Sequence, residues 1–192
     1  IPETAAEYFS KLDSTNLLQF VLAEKCILVE GATEYLMLPE LYKVIYLGSS
    51  LEGDKIDIIS CNGLSYKKYL EIAKKTNHKV AVITDNDGKR ENVEYMKKYN
   101  AENEGSHIFM SDDTGDSGWT WEANIYSLNK SLIEGLIAIE DGAQYLFRGR
   151  KYEPYLGKML NNKVETAFQL LPKIGELKCP QYVLEAFEWI RN

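Results

Sequence analysis

An apolar run of strand length, Lys25-Cys26-Ile27-Leu28-Val29, ends in the carboxylate Glu30; Gly31 turns the chain, and Glu34 follows in the first turn of an expected helix. A second such run, Lys79-Val80-Ala81-Val82-Ile83-Thr84, ends in Asp85-Asn86-Asp87-Gly88. Strands separated by helices call for a parallel sheet with helical cover, because one parallel strand reaches the next only through a crossover. In an open sheet of this kind, ligands gather at the carboxyl ends of the strands. Both acidic pairs lie at that edge. Carboxylates crowded together repel one another unless a cation sits among them, so the sequence predicts a divalent-metal phosphoryl-transfer centre.

The alternation extends through residue 110. Thr33 is placed to cap a helix ending near 47, with Pro39 kinking its middle. Strand 56–60 leads through Cys61-Asn62-Gly63 to a helix over 65–76, and helix 89–99 precedes a strand at 106–110. Upstream, a helix over 2–12 is broken by Asp13-Ser14-Thr15-Asn16 and followed by a second at 17–24. Beyond 110 lies a loop of acids and glycines, then Thr120-Trp121-Glu122, whose local structure the pattern leaves open. Helices are expected at 132–147, 152–160, 163–171 and 180–191. The division is therefore a helical connector at 1–24, an α/β core at 25–128 and a helical region at 129–192.

Composition narrows the setting. With 192 residues, 45% of them hydrophobic, the chain can bury one α/β core and a helical region. Cys26, Cys61 and Cys179 form no C-x-x-C, which argues against a zinc cluster or disulfide framework and for a reduced, cytoplasmic setting. No apolar run approaches the roughly 18–20 residues that span a bilayer. The opening Ile1, where a Met would stand, leads to the expectation of a missing N-terminal neighbour. A net charge of −7 taken alone argues against nucleic acid, but acids that bind cations count in that sum. His78 and His107 are isolated, and 112–116 lacks the order of a calcium loop.

The motif Val29-Glu30-Gly31-Ala32-Thr33-Glu34 with Leu38-Pro39, followed by Asp85-Asn86-Asp87-Gly88, resembles the Toprim domain of topoisomerases, primases and OLD-family (overcoming lysogenization defect) nucleases. The OLD family fits best, through the Gly63 turn, Thr120-Trp121-Glu122 as its [S/T]-x-E element, and Lys163 followed by Pro180-Gln181-Tyr182. Trp121 departs from the Leu expected between Thr120 and Glu122. The resemblance spans roughly 17–192 and implies a Toprim α/β fold with a helical C-terminal region.

It also implies a DNA endonuclease working by two-metal phosphodiester hydrolysis. Glu30, Glu34, Asp85, Asp87 and Glu122 would hold two Mg²⁺ or Mn²⁺ ions, and Lys163 would lie near the scissile phosphate. Gly31, Thr33, Gly63 and Thr120 would support those acids or touch phosphate. Asp85 and Asp87, two apart, would face the same way in extended chain. Full-length relatives carry an ABC-type ATPase domain ahead of the Toprim domain, assemble as homodimers or larger, and in Gabija-type antiphage defence work beside a helicase. No G-x-x-x-x-G-K-[ST] occurs here, so this chain encodes no ATP site.

For DNA, the stretch 143–163 sets Arg148, Arg150, Lys151, Lys158 and Lys163 against the single acid Glu153, with tyrosines interleaved. The stretch 99–129 is acidic throughout, with neither Lys nor Arg. Two alternatives stay open: a non-catalytic Toprim module for DNA binding or assembly, and a haloacid-dehalogenase-like phosphatase, suggested by an apolar strand running into D-x-D-G.

Overall fold

Four of the five residues of β1 (Lys25–Val29) are enclosed, which a strand achieves only with neighbours on both edges and cover on both faces. The computed structural model describes residues 14–61, 66–76, 78–111, 118–140 and 142–192. In it β1 pairs in parallel with β2 (Ile56–Ser60) and β3 (Lys79–Ile83), and β3 pairs in parallel with β4 (Ile108–Ser111). The sheet order is β2-β1-β3-β4. Val29 stands opposite Ser60 and Ile83, and Ile83 opposite Ser111. Glu30, Cys61 and Thr84 therefore leave the sheet side by side at its carboxyl edge.

Side-chain alternation divides the core in two. Cys26, Leu28, Val80 and Val82 face α1 (Ser14–Leu22), α3 (Lys67–Ala73) and α4 (Arg90–Glu102), meeting Phe20, Tyr69, Leu70 and Met96. Ile27, Val29, Ala81 and Ile83 face α2 (Ala32–Ile45), α5 (Trp121–Leu136) and α8 (Gln181–Arg191). Between α5 and α8 come α6 (Pro154–Asn161), α7 (Lys163–Leu170) and a 3-10 turn, Leu171–Glu176. α8 packs on β3 and β4, stacking Trp189 on Phe109 at 5.3 Å. The last helix thus closes the sheet rather than hanging from it.

Several elements differ from the sequence reading. α1 begins at Ser14, because Ser, Thr and Asn open helices as readily as they interrupt them. Gly31, not Thr33, occupies the N-cap of α2, and the helix runs through Pro39 to Ile45. Thr120 caps α5, accepting from the Ala123 N–H at 3.3 Å. α5 crosses the expected boundary at 128/129 and leaves helical geometry at Asn129 (φ −126°, ψ 25°). The Asn129 side chain binds both the N–H and the carbonyl of Lys178, at 2.7 and 3.0 Å.

The expected helix over 132–147 ends at Leu136, because Ile137 turns extended. Gly142, at φ 74°, also departs from helix. The chain then forms a hairpin of β5 (Leu146–Phe147) and β6 (Arg150–Lys151). Its loop residues, Arg148 and Gly149, take φ of 49° and 76°, the mirror-image turn that suits strand twist. The helix expected at 2–12, the Asn62-Gly63 turn and the 112–116 loop lie outside the described residues.

Candidate metal centre

The acids at the sheet edge come from three elements. Glu30 follows β1, and its Oε1 accepts from the Thr84 hydroxyl just past β3. Glu34 sits at the third position of α2 and is 6% exposed. Its carboxylate folds back over Gly31 so closely that a Cβ there would lie 2.9 Å from Oε2. Gly31 is extended at φ −129°, so the site needs glycine for room rather than for a left-handed turn. Asp85 and Asp87 follow β3, but they do not share an extended backbone. Asp87 is left-handed at φ 55°, with its N–H on the Trp119 carbonyl at 2.9 Å. Its Oδ1 meets Arg148 Nη1 of the hairpin at 3.3 Å.

Glu122 opens α5 and is 1% exposed. Lys163, the first residue of α7, donates from Nζ to its Oε2 at 2.9 Å, and Thr33 donates to its Oε1 at 3.5 Å. Glu30, Glu34, Asp85, Asp87, Arg148 and Lys163 line one cavity of about 430 Å³, together with Gly31, Thr33 and Thr120. Glu122 lies behind that wall, bonded to Thr33 and Lys163. Arg150 and Lys151 are exposed on the hairpin and do not line the cavity. Lys158 directs its ammonium to the Ala138 carbonyl at 2.8 Å. Gly63 lies outside the described residues.

Burial, and then crowding of like charge, leaves its mark on protonation. Burial pushes the Glu34 carboxyl up to about 7; its own backbone N–H opposes this, Glu122 and Glu30 add to it, and Lys163 works against it. Burial, then Glu34, Glu30 and Glu122, hold Asp85 well above the usual carboxylate range. Burial tends to lower Lys163, but Glu122, Asp85 and Glu34 raise it on balance. Among the described residues, no three His, Cys, Asp or Glu are gathered as a finished metal cage. Each of three acids is instead held by a local partner, Thr84 for Glu30, Arg148 for Asp87 and Lys163 for Glu122.

Residues 21–87, which carry both acidic motifs, match the family model for the overcoming lysogenization defect protein-like TOPRIM domain. Residues 21–87 carry an OLD-like Toprim domain. The likeness of fold to solved structures covers most of the chain. The C-terminal region of the Burkholderia pseudomallei OLD protein aligns at a TM-score of 0.58 and 18% identity, over 88% of this chain and 98% of that one. The corresponding region of the Xanthomonas campestris pv. campestris OLD protein aligns at 0.59 and 19%, over 90% and 94%. At such identities the likeness is one of fold. No curated protein matches the sequence. OLD Toprim domains belong to a nuclease-related family, and Toprim domains generally bind divalent metals. No helix among the described residues is long and apolar enough to cross a membrane.

Two contributors to this centre were not legible as such in the sequence. Thr84 looked like the end of a strand, and the even strand register alone places it beside Glu30. Arg148 read as part of a basic stretch, whereas the hairpin turn delivers it to Asp87.

Proposed function

We propose that this chain is the catalytic region of a divalent-metal-dependent DNA endonuclease, the C-terminal part of an OLD-type ATPase-nuclease. The observation that carries the reading is the cavity shared by Glu30, Glu34, Asp85 and Asp87 with Lys163 at its wall. Two of these carboxyls are driven toward the neutral form by burial and by one another, a strain that bound cations would remove. The donors are all oxygen, which suits Mg²⁺ or Mn²⁺. Mg²⁺ needs only one or two carboxylates alongside water and phosphate oxygens, so a ready-made three-acid cage is not required.

Glu30, Glu34, Asp85, Asp87 and Glu122 would hold two ions. Bound there, the ions would offset charge on both the attacking and the leaving oxygen of a phosphodiester. Lys163 Nζ, now on Glu122, lies at the cavity wall where it would face a phosphate and offset the charge that develops on it. Arg148, and Arg150 and Lys151 beside it on the hairpin, would extend the contact along the DNA backbone. The acids of 99–129 would keep DNA from that flank. The neighbours in fold are themselves C-terminal regions of OLD proteins, which fits an N-terminal partner domain; on the OLD resemblance that domain would be an ABC-type ATPase. The Toprim match speaks against the phosphatase alternative, whose nucleophilic Asp would follow the first strand, whereas Asp85 follows the third.

Cleavage of supercoiled plasmid tests the proposal. Nicking or linearisation with Mg²⁺ or Mn²⁺, absent in EDTA and in Glu34→Ala and Asp85→Ala, is the expected result. Ion and DNA binding without cleavage would return the chain to the non-catalytic module.

A further inference from the structure

A second cavity, of about 160 Å³, shares Glu30, Asp85 and Asp87 with the first but faces α3 and α4 instead of α2 and α7. Its other wall includes Lys67, Asn92 and Tyr95. Lys67, the first residue of α3, holds its ammonium over the Tyr95 ring at 4.4 Å from the centroid. Asn92 Nδ2 donates to the Asn86 carbonyl at 3.0 Å, fastening α4 to the turn that bears Asp85 and Asp87. The cavity is therefore acidic on one side and basic-aromatic on the other, and α4 ties the two together.

Charge decides how a ligand would lie. A phosphate entering here is repelled by the carboxylates and drawn to Lys67, while a neutral sugar or base can occupy the space between. The volume takes one sugar or base and not a base pair. We propose that this cavity is a subsite for single-stranded DNA: Lys67 takes the phosphate next to the one at the acidic centre, and the intervening sugar or base rests against Tyr95. Tyr95 is a positioning residue, since its ring fixes where the Lys67 ammonium stands. The subsite rests on the nuclease reading and assigns the flanking strand a path out of the centre, over α3 and α4.

The test is binding of a short fluorescent single-stranded oligonucleotide, monitored by anisotropy with Ca²⁺ over a series of salt concentrations. Lys67→Gln should weaken binding roughly five-fold, the upper end for an exposed ion pair. It should also flatten the slope of log affinity against log salt by about 0.7, the share of one phosphate contact on a single strand. Lys67→Arg should keep both. Tyr95→Ala should weaken binding about two- to five-fold through loss of the cation-π seat, and less than additively when joined to Lys67→Gln. Oligonucleotide binding whose affinity and slope survive Lys67→Gln would overturn the subsite and leave the nuclease reading standing. Ion binding with no DNA binding by the unaltered chain would overturn both.

Discussion

Lys163→Met isolates the electrostatics of the centre. The substitution keeps most of the apolar stem and removes the charge that meets Glu122 Oε2 at 2.9 Å. Glu122 has a side chain only 2% exposed and would be left with the Thr33 hydroxyl at 3.5 Å. Breaking a fully buried pair from one side costs about 3–5 kcal/mol. Lys163 is 42% exposed, so water screens the pair, and a discounted loss of about 1–3 kcal/mol is expected. For a chain of this length that lowers Tm by roughly 2–12 °C. The assay is thermal unfolding in EDTA and in Mg²⁺, with Glu122→Gln/Lys163→Met as the partner variant. The single variant should lose stability in EDTA, regain part of it with Mg²⁺, and recover when Glu122 is neutralised. An unchanged Tm in EDTA, or a double variant no more stable than the single, would refute the pairing argument.

Three further outcomes are expected from the same geometry. Gly31→Ala places a Cβ against Glu34 Oε2 and should weaken Mn²⁺ binding, measured by calorimetry, roughly ten-fold with little change in Tm. Glu34 is raised from 4.5 to about 7 in the folded chain, so it favours folding below pH 4.5 and loses that contribution as pH rises through 7. Tm in EDTA should accordingly fall between pH 5 and 8, and Glu34→Gln should flatten the fall; parallel profiles would count against the buried acid. Arg148 and a cation compete for Asp87, so Arg148→Gln should tighten divalent-ion binding up to about five-fold while stability moves by less than about 1 kcal/mol. Weaker ion binding in that variant would reverse the assignment.

The strands were readable because β1 and β3 are continuous apolar runs, the signature of a parallel sheet covered on both faces. Glu30 and Asp85 were readable for the same reason, as the first carboxylates past those runs. The shared outlook of Asp85 and Asp87 was not, since it assumed extended backbone and Asp87 takes φ 55°. Left-handed geometry at a non-glycine residue carries little local signal. The hairpin was hidden for a related reason. Its strands are two residues each, and the helix-like spacing of Leu132, Leu136 and Ile139 continues past the point where the backbone turns. Lys163 could be singled out only by resemblance, because its carboxylate partner lies 41 residues away.

The order in which the centre comes together has a consequence during synthesis. Glu30, Glu34, Asp85, Asp87 and Glu122 all precede Lys163, and the helix that closes the sheet over them is the last, Gln181–Arg191. A nascent chain exposing the acids lacks both the balancing ammonium and the cover that fixes β3 and β4. Long-range contacts of this kind form late. A ribosome-bound fragment ending before residue 163 therefore carries the carboxylates without the ammonium that meets Glu122 and without the helix that packs on β3 and β4.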